Sequence, residues 1–287
     1  MARIDRLLQS SSLGLSLVAL QIFSPAQAAP QQAKAPSTSV AGDIVVMGTT
    51  RARIDRTVKR MTNSNEAQIP RWNSSICIAV RGVLPDQAHS IADTLELNAR
   101  EVGVVVERGS CSPNVEIFIS GQADALASRF LHHQPNMFRD VARYGRPRSR
   151  DRAELLSPEP IRWTVGTVRE LRLGVASRLS QPSRENKDRL LVIVDLPRCA
   201  NVTWEQLSAY LTMVVLANPE HTNNGTSGTI MALFNSGMTK EKASGLTDLD
   251  HFVPKALYVT EEQVPAGSQR IAMTDFIVRQ RDKPTLR

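Results

Sequence analysis

Residues 189–217, "RLLVIVDLPRCANVTWEQLSAYLTMVVLA", set an apolar strand directly before an apolar helix. Leu190 to Val194 are consecutive aliphatic residues, which suits a strand covered on both faces at the centre of a sheet. Beyond Pro197 the period changes. Thr203 and Gln206 stand in a T-x-x-Q capping box, the pattern that satisfies the first free N–H groups of a helix. Leu207, Tyr210, Leu211, Val214 and Val215 then recur at helical spacing as a stripe broad enough to bury, and Asn218-Pro219 ends it. A central strand feeding a buried helix predicts a layered fold of helices on a sheet.

Working outward, "SSICIAVRG" (74–82), "VGVVVE" (102–107), "NVEIFIS" (114–120) and "PIRWTVGTV" (160–168) read as further strands. Pro85 opens a helix whose residues Ala88, Ile91, Ala92, Leu95, Ala99 and Val102 share one face. "RARIDRTVKRMT" (51–62) is a short basic helix, residues 122–143 are helical with a break near Pro135, and "SRLSQPSRENKD" (177–188) is a polar loop or hairpin tip. The expected class is α/β (α+β), a mixed sheet with packed helices. Residues 51–287 form a single globular domain on this reading, divisible into lobes 71–150 and 155–287.

The first 28 residues have the layout of a secretory signal. Arg3 and Arg6 precede an apolar run from Leu13 to Phe23, and "AQA" follows at Ala26 to Ala28. That run is too short to cross about 30 Å of hydrocarbon as a helix, so cleavage after Ala28 is expected and the processed chain is periplasmic or secreted, with no transmembrane segment. Residues 29–50 form an Ala, Pro, Gln and Ser-rich linker that ends in the extended stretch "DIVVMG". This stretch resembles the TonB box that opens many outer-membrane transporters, but the chain has too few alternating strands for their barrel. It suits either a strand on this protein's own sheet or an addition to a partner's sheet edge.

Three cysteines in an oxidising compartment suggest one bridge and one remaining thiol. Cys77 and Cys111 each adjoin a strand-like segment, and they are the expected pair. Cys199 is expected to be a buried thiol rather than a nucleophile, since no histidine is close in sequence. The chain has 35 Lys and Arg against 28 Asp and Glu, for a formal net charge of +7, which suits anionic surroundings. Residues 139–152 hold Arg139, Arg143, Arg146, Arg148, Arg150 and Arg152 around Gly145 and Pro147, which gives either a solvated connection or an anion-binding loop. An anionic envelope surface or an envelope protein is the expected partner, and nucleic acid is not.

Three features in order resemble the C-terminal half of zincin metalloproteases, the metzincin branch above all. The buried helix comes first, "TIM" at Thr229 to Met231 looks like the segment of their Met-turn, and "LTDLDHFVPKALY" (246–258) resembles their closing helix. The "DIVV.G" start, an aromatic residue before a Cys-bearing strand, "C.PN" before a strand and "LT..D....ALY" are similar to those of a group of uncharacterised exported proteins of Gram-negative bacteria. Zincin chemistry requires H-E-x-x-H on the buried helix, two imidazoles for zinc and a carboxylate for the bound water. Gln206, Leu207 and Tyr210 fall on those positions, and Leu216 on the third ligand position.

No catalytic residue, metal ligand or cofactor follows from the sequence. The chain lacks a G-x-S-x-G elbow and a P-loop, and its five histidines do not stand at ligand spacing. Asp248 is expected to cap the closing helix or favour its dipole rather than to pair with Asp250 in catalysis. The reading is an exported, non-catalytic accessory or binding protein on a zincin-like scaffold. The competing class is an envelope hydrolase with a site assembled from residues distant in sequence, such as His89, His132 or His251.

Overall fold

The aliphatic run at Leu190–Val194 occupies the middle of the sheet, as its composition requires. The structure, a computed structural model, describes residues 50–64, 68–133, 149–175, 177, 180–221, 227–235 and 243–282. The signal and linker readings, "DIVVMG" included, lie outside the described residues, as do Arg139, Arg143, Arg146 and Arg148. Four strands are described, β1 (Ile78–Arg81), β2 (Val115–Ser120), β3 (Ile161–Leu171) and β4 (Ser183–Asp195), together with seven helices. The strand order is β1-β2-β4-β3, with β1, β2 and β4 parallel and β3 antiparallel at one edge. The fold is thus a mixed sheet with packed helices.

The alternation of side chains along β2 and β4 divides the interior in two. Val115, Ile117, Ile119, Leu190, Val192 and Val194 face the larger core, while Leu191 and Ile193 face a small cluster with Ala123, Ala127 and Leu155. The larger core is built with α1 (Arg51–Met61), α2 (Pro85–Glu101), α5 (Trp204–Leu216), α6 (Asp248–Val259) and α7 (Ala266–Arg281). The smaller lies under α3 (Ala123–His133) and α4 (Ser149–Leu155). Gly82 ends β1 at φ 93°, and a Cβ there would stand 2.0 Å from the Ile119 carbonyl oxygen, so only glycine lets β1 turn so close to β2.

Several expectations need correction. "VGVVVE" is not a strand: only Ile76 and Val106 form a bridge, and the chain leaves the sheet through Gly109 (φ 83°) to reach Cys111. Ser183–Asp188 is not a loop but the first half of β4. Its buried positions are the polar residues Ser183, Glu185 and Lys187, so the period-2 signal is present without apolar residues to reveal it. Of the two roles expected for Asp248, capping falls to Thr247, with Asp250 as its capping-box partner, while Asp248 stands in the first turn of α6, where a carboxylate favours the dipole. Nothing in the sequence reading anticipated α7, whose buried residues include Gln269 and Thr274 beside Met273 and Ile277. Among the described residues no helix is long and apolar enough to cross a membrane.

Cys77 and Cys111 are joined, with Cα atoms 6.1 Å apart and a sequence separation of 34. Asn114 seats the bridge: its Oδ1 accepts from the Cys77 backbone N–H at 2.8 Å and its Nδ2 donates to the Ser75 carbonyl at 3.0 Å. Closing a loop of this length stabilises the native state by about 3–4 kcal/mol on the chain-entropy account. A Cys77→Ser/Cys111→Ser variant should therefore lose about that much in denaturant unfolding, and a loss below about 1 kcal/mol would show that the bridge closes little of the unfolded chain's freedom.

Candidate functional site

The helix α5, on which the resemblance would set H-E-x-x-H, serves capping and packing. Thr203 Oγ1 accepts from the Gln206 backbone N–H at 3.2 Å, and Gln206 Oε1 accepts from the Thr203 N–H at 3.1 Å. Gln206 Nε2 is also spent, donating to the Ala243 carbonyl at 2.8 Å. Leu207 is buried against the core. Tyr210 is 2 % exposed, with its ring edge-on to Trp163 and to Phe234 at centroid distances of 6.4 and 5.3 Å. Leu216 is buried as well. This set does not fit zinc: it offers neither imidazole nor thiolate, and Leu207 cannot take a proton from a bound water. Among the described residues no group of three His, Cys, Asp or Glu could hold a metal ion.

The two segments that resemble the rest of a zincin lie beside this helix. Ile230 and Met231 form a 3-10 turn in the same core, and Asp250 of α6 ties the turn in place. Its Oδ2 accepts from the Ile230 N–H, the Thr247 N–H and the Thr247 hydroxyl, each at 2.8 Å. Burial pushes the Asp250 carboxyl up to about 6 against these donors, which favour the ionised form. His221, beyond the end of α5, stacks on Trp163 at a centroid distance of 3.9 Å, and its Nε2–H donates to the Trp163 carbonyl at 2.9 Å. The aromatic rings of Trp163, Tyr210, His221 and Phe234 thus pack against one another in series.

At the C-terminal end of α5 stands a residue that no local sequence pattern singles out. Lys187 is fully buried, its Nζ donates to the Val215 carbonyl at 2.8 Å, and the Trp72 ring centroid is 5.9 Å from it. Trp72 Nε1 donates to the same carbonyl at 2.8 Å, so both lone pairs of Val215 are used. Tyr258 OH donates to the next carbonyl, Leu216, at 3.4 Å. Burial pushes the Lys187 ammonium down to about 7.

A second polar cluster sits at the carboxyl ends of β2 and β4, the edge at which open α/β sheets place ligands. Arg162 is wholly buried there and donates to Asp124 at 2.8 Å and to the Leu155 and Ser157 carbonyls at 3.3 Å. Arg198 bridges Asp124 at 3.1 Å and Asp195 at 2.5 Å. The Arg198 hydrogen bond, aided by Arg162, holds the Asp124 carboxyl below the ordinary range. Two cations meet two anions, and the cluster serves to fasten α3 and the Pro197–Cys199 turn to the sheet.

The other sequence candidates are scattered. His89 on α2, His132 and His133 on α3, and His251 on α6 are exposed on three different helices. The rings of His132 and His133 meet edge to face, at 86°. Cys199 is buried and its thiol is pushed up to about 12 by burial and by Asp195, the opposite of an activated nucleophile. Arg150 and Arg152 fall on α4, and Arg152 is exposed.

The Lys187 shift has a definite sign. Between pH about 7 and the usual lysine range near 10.4, the unfolded chain binds a proton that the folded chain does not. Stability therefore rises with pH across that window, and below it the penalty of a buried ammonium is fully present. Unfolding midpoints of the wild type and Lys187→Met from pH 7 to 9.5 should diverge, with the upward slope lost in the variant; parallel curves would place the amine's folded-state protonation in the ordinary range. Comparison with protein-family models, with curated proteins and with solved structures finds no match for this chain.

Proposed function

We propose that the chain is an exported, non-catalytic binding or accessory protein, built on a zincin-like scaffold whose metal positions have been given over to capping and packing. One observation carries this reading: Gln206, Leu207 and Tyr210, at the positions of the two imidazoles and the base, are occupied respectively as a helix cap, a core aliphatic and the centre of an aromatic cluster. The scaffold reading draws support from the packing of the Met-turn-like segment and α6 into the core that holds α5. Export draws support from the disulfide, which is a feature of oxidising compartments.

Elemental analysis of the protein purified without chelators, with zinc titration alongside, tests the first part. The expected result is no stoichiometric zinc and a thermal midpoint that zinc leaves unchanged; one zinc per chain would overturn the reading. Gln206→Ala should cost about 1 kcal/mol through loss of the cap and nothing more, as measured by denaturant unfolding. N-terminal sequencing of periplasmic material tests export, with Ala29 expected as the first residue and an intact Met1 counting against it.

A further inference from the structure

The chain's positive charge is not spread evenly. Helices α1 and α7 lie side by side and antiparallel, fastened at one end by Arg51 with Asp275 at 2.6 Å. At the other end Arg270 donates to the Thr62 carbonyl at 2.7 Å and to the Ser64 hydroxyl at 3.0 Å. Together the two helices carry eight basic and two acidic side chains. That is an excess of six, where the net charge of the whole sequence is seven.

Local pairing does not cancel it. Asp275 is taken by Arg51, and Glu220 comes across to Arg60 at 2.9 Å. Asp55 alone of the remaining acids on these helices stands near, beside Arg270. Arg56, Lys59, Arg279 and Arg281 are exposed and make no ion pair among the described residues. The buried side of α1, formed by Ile54, Thr57, Val58 and Met61, turns toward the core and leaves Arg56 and Lys59 outside. On α7, Ile271, Asp275 and Arg279 recur at successive turns, and Ile271 is 58 % exposed although aliphatic.

We propose that this α1–α7 face docks on an anionic lipid bilayer. The two helices lie side by side, the longer about 24 Å, and expose Arg56 and Lys59 on α1 and Arg279 and Arg281 in the last turn of α7, cations that suit a planar array of phosphates. Arginine and lysine stems with an exposed isoleucine suit the headgroup boundary, where the stems lie along apolar surface and the charges stay hydrated. No aromatic side chain is exposed on either helix to stack on bases, which disfavours single-stranded nucleic acid. The proposal stands whether or not the protein has zinc chemistry, since none of these residues belongs to α5 or its surroundings.

Vesicle co-sedimentation of the full chain decides it, with phosphatidylglycerol mixed into phosphatidylcholine in one arm and phosphatidylcholine alone in the other. The wild type should bind the mixed vesicles only, and less as salt is raised. Arg56→Glu/Lys59→Glu/Arg279→Glu/Arg281→Glu should lose roughly a hundredfold or more in partition while keeping its thermal midpoint. If reversal disturbs folding, neutralisation of the same four residues to Gln gives the comparison, with a smaller loss in the same direction. Equal binding by wild type and variant overturns the proposal, as does equal binding to the neutral vesicles, which would point to the apolar run at Leu13–Phe23. So does a loss reproduced by replacing Arg139, Arg143, Arg146 and Arg148 with the helix face intact, or binding to duplex DNA without binding to the mixed vesicles.

Discussion

A helix enclosed by protein leaves its last carbonyls with no water to meet them, and in this chain those carbonyls belong to Val215 and Leu216. Lys187 and Trp72 both donate to the first, and Tyr258 donates to the second. The donors come from β4, from the segment before β1 and from α6, so sealing one helix end fixes three parts of the chain around it. Every residue of α5 from Leu207 to Leu216 is buried, which is possible only because both ends are satisfied in this way.

The same economy runs through the other buried polar groups. Asp250 gives one oxygen to two backbone N–H groups and a hydroxyl, and so locks the Ile230–Ala232 turn against α6. Gln269 of α7 accepts from the Ile69 N–H at 2.7 Å and joins the chain entering the sheet to the last helix. Arg162 closes the carboxyl edge of the sheet with Asp124 and the carbonyls of Leu155 and Ser157. Burial still displaces the ionisation of these groups, downward for Lys187 and, against its three donors, upward for Asp250. Gln206, Leu207 and Tyr210 of α5 are likewise drawn into capping and packing.

Much of this could be read from sequence because some residues act locally. The Thr203-Gln206 box, the all-apolar Leu190–Val194 run and Pro85 at a helix start each specify their own neighbourhood, and each lies where expected. The Cys77–Cys111 pairing was legible because β1 and β2 are strands with clear patterns. Lys187 and Glu185 were not, since a lysine and a glutamate read as surface residues unless their distant partners are known. The helix α7 escaped for a related reason: it buries Gln269 and Thr274, whose partners lie some two hundred residues away in the case of Gln269. The concentration of charge on α1 and α7 required their adjacency, which no local pattern gives.

If the account is right, α5 is the least accessible element of the protein and opens only when the whole fold does. Native-state hydrogen exchange read residue by residue tests this most directly. The amides of Leu211 to Leu216 should exchange with the same free energy as those of Leu190 to Val194 in β4, and both should match the global unfolding energy. Exchange of the α5 amides through a separate opening several kcal/mol below the global value would contradict it, because a helix that opens on its own could still expose a working site.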